Sequence, residues 1–142
     1  MKILYAYNMK EADFIPLAIA KYNKLAKTDV GKFSYDKNTR LPLLEDAYIS
    51  ISKVKDIIVA AISFEQVGVD VEPKDKVPPK KFKKTIQEYA DTSAYIRWTG
   101  KGIIMSILYD SFPEDKLKRF KIGDYIGSVY SIDGAISLIE IK

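Results

Sequence analysis

Between Ala47 and Glu72 three apolar runs follow one another with almost no chain between them: Ala47–Ser52, Ile57–Ser63 and Val67–Glu72. All three are short and rich in Val, Ile and Ala, which suits strands. The links Lys53–Asp56 and Phe64–Gln66 are too short for a crossover helix, because a parallel connection needs a dozen residues or more. The segment is therefore expected to be an antiparallel meander, and the rest of the chain must cover it. Pro73, Pro78 and Pro79 interrupt the pattern and mark the middle of the chain.

The flanks supply the covering elements. Lys2–Tyr7 reads as a strand with Ile3, Tyr5 and Tyr7 on one face. Asp13 and Pro16 signal a helix start, and Ile15, Ile19, Tyr22 and Ala26 follow at helical spacing. Thr28–Leu44 reads as loop with a short strand near Lys32–Tyr35 and a turn at Asp36-Lys37-Asn38-Thr39. Lys80–Tyr89 reads as helical, and Asp91 or Thr92 can cap a further helix reaching about Tyr109. Its apolar stripe is Trp98, Met105 and Tyr109, with Trp98 read as core before ligand platform. Gly100 and Gly102 interrupt it, each costing about 1 kcal/mol relative to alanine. Leu117–Ile122, Tyr125–Ser131 and Ala135–Ile141 read as strands, the last two joined by an Asp133-Gly134 hairpin turn. Each half thus holds a helix and then strands, which predicts an α+β fold of two similar lobes, each a helix packed on a small antiparallel sheet.

Composition removes whole classes of chemistry. The 142 residues include no cysteine and no histidine. Disulfides, thiol nucleophiles, Cys/His zinc sites and a Ser-His-Asp triad are excluded. Acid–base work falls to Asp, Glu, Lys or Tyr, and any metal must be held by oxygen, as magnesium or calcium is. No apolar run is long enough to span a bilayer, and Met-Lys-Ile-Leu-Tyr opens a strand rather than a leader, so a soluble cytoplasmic protein with no membrane partner is expected. Net charge is +4, and Lys74–Lys84 carries six lysines against one acid. Such a run is either a solvated linker face or a surface for phosphates, acidic proteins or nucleic acid.

One stretch of the meander is chemically odd. In Val67–Glu72, VGVDVE, the period of two puts the valines on one face and Asp70 and Glu72 on the other. Two carboxylates at that spacing can share one cation, and Gly68 lets another backbone or a ligand approach. Magnesium prefers few protein oxygens plus phosphate and water. The same pattern also arises as the exposed end of an ordinary strand.

Three blocks together resemble the 4′-phosphopantetheinyl transferase superfamily, in a shortened and divergent version of the surfactin-synthetase-activating type. NTRLPLLEDAYISIS (Asn38–Ser52) is similar to a G-K/R-P turn leading into S-x-S-H-S. VAAISFEQVGVDVE (Val59–Glu72) is similar to the strand, turn and strand ending in G-[IV]-D-[IV]-E. YIRWTGKGI (Tyr95–Ile103) is similar to the helix motif W-x-x-K-E-[AS]. The resemblance implies residues 1–72 as an N-terminal lobe carrying the first helix, the meander and the acidic strand. Residues 73–142 would form a C-terminal lobe with the W-x-x-K helix and a terminal hairpin. It implies transfer of the phosphopantetheine arm of coenzyme A to a serine of an acidic acyl or peptidyl carrier protein, that is, holo-acyl-carrier-protein synthase activity. Asp70 and Glu72 would hold Mg²⁺ on the diphosphate. Lys101 would neutralise or protonate the leaving phosphate, with Glu72 as its catalytic partner. Arg40, Ser52, Lys53 and Lys101 would contact the coenzyme's phosphates.

Three positions depart from the family pattern. Lys53 replaces a histidine, Gly102 the motif glutamate and Ser106 a lysine one turn further on. The first swap keeps a positive charge; the other two remove a carboxylate and a phosphate contact. Two further readings therefore stand beside the transferase: a non-catalytic relative that binds coenzyme A or a carrier protein, and a basic nucleic-acid-binding module. Against the last, the ten tyrosines are scattered rather than grouped with the lysine run.

Overall fold

A computed structural model of the chain describes residues 1–82, 84–100 and 112–142. The described elements are β1 (Lys2–Tyr7), α1 (Glu11–Ala26), β2 (Phe33–Tyr35), β3 (Pro42–Leu44), β4 (Tyr48–Val54), β5 (Ile57–Ser63), β6 (Gly68–Pro73), α2 (Ile86–Thr99), β7 (Leu117–Ile122), β8 (Tyr125–Tyr130) and β9 (Ser137–Glu140). They form a four-stranded sheet in the order β4-β5-β1-β9, a three-stranded sheet β6-β8-β7 and a small β2-β3 ribbon. No helix among the described residues is long and apolar enough to cross a membrane.

The layers follow from which faces are apolar. On the outer face of the four-stranded sheet, Phe14, Ile15, Ala18 and Tyr22 of α1 cluster with Leu4, Ala6, Ile58, Ala60 and Ile62. On its inner face, Ile3, Ile57, Val59 and Ala61 cluster with Val69, Val71, Phe120, Ile122 and Val129 of the three-stranded sheet. Helix α2 lies against the other side of that second sheet, on β6 and β8. The architecture is therefore helix, sheet, sheet, helix, an α+β arrangement in which each helix contacts its own small sheet. Strand β5 lies between two apolar layers, and all seven of its residues are buried. Fully burying one Ile or Val side chain contributes about 1.5–3 kcal/mol, so this strand anchors the domain.

Strand pairing departs from the expected order twice. Strands β4 and β5 do pair antiparallel, from Tyr48↔Ser63 to Val54↔Ile57. Strand β6 does not continue the meander; it pairs with β8, Asp70 opposite Ser128. Had it extended the four-stranded sheet with its valines inward, Asp70 and Glu72 would have faced the apolar α1 layer, where an unpaired charge is costly. The terminal hairpin is also absent. Strand β9 turns away from β8 and pairs parallel with β1, Lys2 opposite Ser137. The first sheet is therefore mixed, not wholly antiparallel. Asp133 serves as an anchor instead of a hairpin turn: it lies 2.7 Å from the N-terminal amine and accepts from Ser63 Oγ at 3.0 Å. The tight turn of the second sheet is Gly123-Asp124, between β7 and β8, with Gly123 at φ 56°.

The helices also differ from expectation in their ends. Helix α1 begins at Glu11, so Pro16 lies inside it rather than in the first turn. Glu11 and Asp13 in the first turn and Lys24 in the last suit the helix dipole. Lys80–Thr85 is not helical among its described residues. Helix α2 starts after Thr85, which forms a capping box with Glu88, so Asp91 and Thr92 are interior and buried rather than caps. The helix stops at Gly100, which takes the left-handed conformation at φ 67°. The further turns expected up to Tyr109, with Met105, Gly102 and Ser106, lie outside the described residues. Strand β3 occupies part of the segment read as loop.

Candidate functional site

Strands β4 and β6 are edge strands of different sheets that run side by side. Ser50 and Ser52, two apart on β4, turn the same way toward β6. Val69 N–H donates to Ser50 Oγ at 3.0 Å and Val71 N–H to Ser52 Oγ at 3.1 Å. The hydroxyls stand where a neighbouring strand's carbonyls would be, so the edge of β6 is satisfied without joining the sheets. Ser52 Oγ then donates to Asp70 Oδ1 at 3.2 Å.

Gly68 brings the helix in. A Cβ there would lie 2.1 Å from Ala94 O and 2.3 Å from Trp98 N, so α2 rests on the bare backbone of β6. That approach delivers Arg97. Its Nη1 donates to Val69 O at 2.7 Å and lies 3.1 Å from Asp70 Oδ1. On the next turn of strand, Lys76 Nζ donates to Glu72 Oε1 at 2.8 Å. That bond is the main reason the Lys76 ammonium is held above its ordinary value.

The acid pair is buried, with Asp70 2% and Glu72 6% exposed. Asp70 Oδ2 has no hydrogen-bond partner among the described residues. Burial pushes the Asp70 carboxyl well above the usual carboxylate range. The Arg97 charge and the Ser52 hydroxyl oppose the shift, and the Glu72 carboxyl, close enough to share a proton, adds to it. Two carboxyls facing each other hold either a proton or a cation between them. An orphaned oxygen beside a second carboxylate fits a divalent ion that also takes phosphate and water oxygens. The donor set is small: the described residues contain no group of three or more Asp, Glu, His or Cys side chains able to hold a metal.

A second carboxylate on the same layer is fully engaged. Asp91 Oδ2 accepts from Arg119 Nη2 at 2.6 Å, and its Oδ1 accepts from Ser128 Oγ and from Gln87 Nε2 at 3.3 Å. Ser128 stands directly opposite both Asp70 and Arg119 in the sheet, so a polar row crosses β6, β8 and β7 beneath α2. With both its oxygens held, Asp91 fastens helix to sheet. At the end of the same contact Trp98 packs against Tyr95 and Tyr130, with Lys116 Nζ 5.4 Å from its ring centre.

A cleft of about 640 Å³ opens beside this seam, lined by Thr39, Leu41, Tyr48, Ser50, Arg97 and Trp98 among others. That volume falls in the range of small-ligand sites. Asp70 and Glu72 do not line it, and Arg97, which does, rests against Asp70. Arg40 is exposed at φ 64°, in the turn that Asp36 fixes by accepting from Asn38 N–H and Thr39 N–H at 2.8 Å each. Its neighbours Thr39 and Leu41 reach the cleft. Lys53 is exposed beside Asn8, Lys10 and Lys55 in a separate hollow. Ser52 is buried, with its hydroxyl committed to Val71 and Asp70. Lys101 lies outside the described residues.

The structure thus brings Asp70, Glu72 and Ser52 together and leaves Arg40 and Lys53 at the surface. The sequence reading overlooked Ser50, Arg97, Arg119 and Ser128. Only Arg97 left a usable signal. A buried acid pair requires a cation, and arginine is the residue best suited to pairing in a dry contact.

What the fold and site define together is an α+β domain with two helix-on-sheet layers and a buried acid pair at the seam between its sheets. No protein-family model matches the chain, and no curated protein matches it.

Proposed function

We propose that this chain transfers the 4′-phosphopantetheine arm of coenzyme A to a serine of an acidic carrier protein, with Mg²⁺ bound by Asp70 and Glu72. The observation that carries the reading is the buried Oδ2 of Asp70, without a hydrogen-bond partner among the described residues and facing a second carboxyl, with Ser52 and Arg97 from the other two blocks against the same carboxylate. The cation, when bound, would neutralise the diphosphate and so favour displacement at phosphorus. Ser52 fixes the Asp70 carboxyl through its hydrogen bond, so the carboxyl is oriented before any ligand arrives. The serine oxygen of the carrier attacks the phosphorus bearing the pantetheine arm. The bond from that phosphorus to the bridging oxygen breaks, and 3′,5′-ADP leaves with the electron pair. Glu72 accepts the serine proton through the oxygen that Lys76 does not hold, and Lys101 offsets charge on the leaving phosphate. On this reading the substrate diphosphate would approach the acid pair from the 640 Å³ cleft that Arg97 lines.

The test is direct. The protein is mixed with Mg²⁺, coenzyme A and an apo carrier protein, and the carrier's mass is measured. A phosphopantetheine adduct is expected from the intact chain and none from Asp70→Ala. Failure of the intact chain to form any adduct overturns the catalytic reading. A second reading, binding without transfer, is favoured by the pairing of each acid with a cation of the chain itself, Arg97 on Asp70 and Lys76 on Glu72. Mg²⁺-dependent thermal stabilisation by coenzyme A with no adduct selects it.

A further inference from the structure

Arg97 occupies an unusual position. Its guanidinium donates to Val69 O and rests against Asp70 Oδ1, yet 36% of its side chain is exposed and lines the cleft. It therefore stands between the cleft and Asp70. Asp70 offers one oxygen to Arg97 and Ser52, while its other oxygen has no partner among the described residues and is fully buried. A divalent cation held by Asp70 and Glu72 would sit beside the guanidinium. Two positive centres on one carboxylate repel, and the repulsion is strong where water is excluded. The guanidinium is the one that can leave, because its side chain already opens onto the cleft.

We infer that Arg97 is a built-in counterion of the acid pair: it holds Asp70 while no metal is present, and a divalent cation displaces it into the cleft, where it meets an incoming phosphate. This inference rests on the proposed metal role of Asp70 and Glu72. It makes cation and anion binding mutually reinforcing, since each ligand favours the arrangement with Arg97 turned outward. A guanidinium suits the second task as well as the first, because its fork matches phosphate oxygens as it matches a carboxylate.

The experiment measures Mn²⁺ binding by the spin-resonance signal of the free ion, on the intact chain, Arg97→Gln and Asp70→Asn, with no anion present. If Arg97 competes for Asp70, Arg97→Gln binds Mn²⁺ about tenfold more tightly than the parent, and Asp70→Asn binds far more weakly. A purely structural arginine predicts the opposite, equal or weaker binding in Arg97→Gln, and that result overturns the inference. Arg97→Lys keeps a charge but loses the fork; it is expected to bind between the two, and it carries the test if Arg97→Gln does not fold. Trp98, the neighbouring residue and the only tryptophan, supplies a second readout. Saturating Mg²⁺ should shift its emission in the parent and leave Arg97→Gln unchanged; an unchanged parent spectrum counts against displacement. If no form binds Mn²⁺, the metal role and this inference both fall. If the parent binds and Arg97→Gln binds no better, only the inference falls.

Discussion

The two helix-on-sheet contacts are built from opposite chemistry. Between α1 and the first sheet everything named in the contact is apolar apart from the Tyr22 hydroxyl, and Phe14, Leu4 and Ala6 are wholly buried. Between α2 and the second sheet the middle of the contact is ionic: Asp91 with Arg119 and Ser128, Asp70 with Arg97 and Ser52. Burial is comparable, with Asp70 and Asp91 2% and 3% exposed. An apolar contact of the first kind gives stability without further conditions. A contact of the second kind is at best neutral against a hydrophobic replacement, because desolvation offsets the attraction between charges. The second layer is therefore where the chain gives up stability for polar groups, and within it Asp70 keeps a fully buried oxygen with no partner among the described residues.

The contrast can be broken from either side, and the largest effect is expected in the apolar layer. Phe14→Ala should cost about 4 kcal/mol in urea unfolding, the usual range for a buried aromatic. A loss under about 1 kcal/mol would mean that the α1 contact is loose, and the comparison would lose its reference. Gly68→Ala comes next, at about 3 kcal/mol, because its new Cβ meets backbone atoms of α2 that cannot step aside. Nuclear magnetic resonance of the variant should also show the Arg97 side chain detached from Val69 and Asp70.

Ser52→Ala follows, at about 2 kcal/mol, since it strips a buried N–H of its acceptor and Asp70 of a donor. An unchanged stability would show that the seam between the sheets does not depend on the serine hydroxyls. Asp70→Asn has the smallest effect and the most telling pH dependence. The folded chain holds the Asp70 proton above the ordinary value of 3.8, so between these two values the folded state binds more protons than the unfolded one. On this account stability in cation-free buffer falls as pH rises through the folded value. Asp70→Asn removes that term, so the variant should gain on the parent as pH rises above the ordinary carboxylate value of 3.8 and through the raised folded value. A difference that stays flat across the range would show that the carboxyl titrates normally and that its burial is relieved in some other way.

Much of the fold was legible because its signals are local. Lys2–Tyr7, Ile57–Ser63 and Leu117–Ile122 are strands with the bounds their alternation indicates. Asp36 fixes its turn through two backbone N–H groups, as the Asp-Lys-Asn-Thr pattern suggests. Gly100 ends a helix, and Gly68 admits a backbone. The failures are of another kind. Asp133-Gly134 has the letters of a hairpin turn, yet Asp133 holds the amino terminus, a partner more than a hundred residues away. The short link before β6 suits a meander, yet the strand changes sheet. Asp91 has the look of a cap, yet Thr85 and Glu88 form a better one six residues earlier, and Asp91 is left to bind Arg119.

The sequence alone settled where most of the strands and the first helix lie, that Asp70 and Glu72 share a face, and that oxygen is the only donor the chain can offer a metal. Each of these depends on neighbours along the chain or on composition. The tertiary structure alone decided that β6 pairs with β8, that β9 returns to β1, and that Arg97 meets Asp70. Periodicity tells a strand which of its faces is apolar, but not what will cover that face. The cover is chosen by the arrangement that buries the most apolar surface while leaving the fewest charges unmatched, and that choice belongs to the whole chain at once.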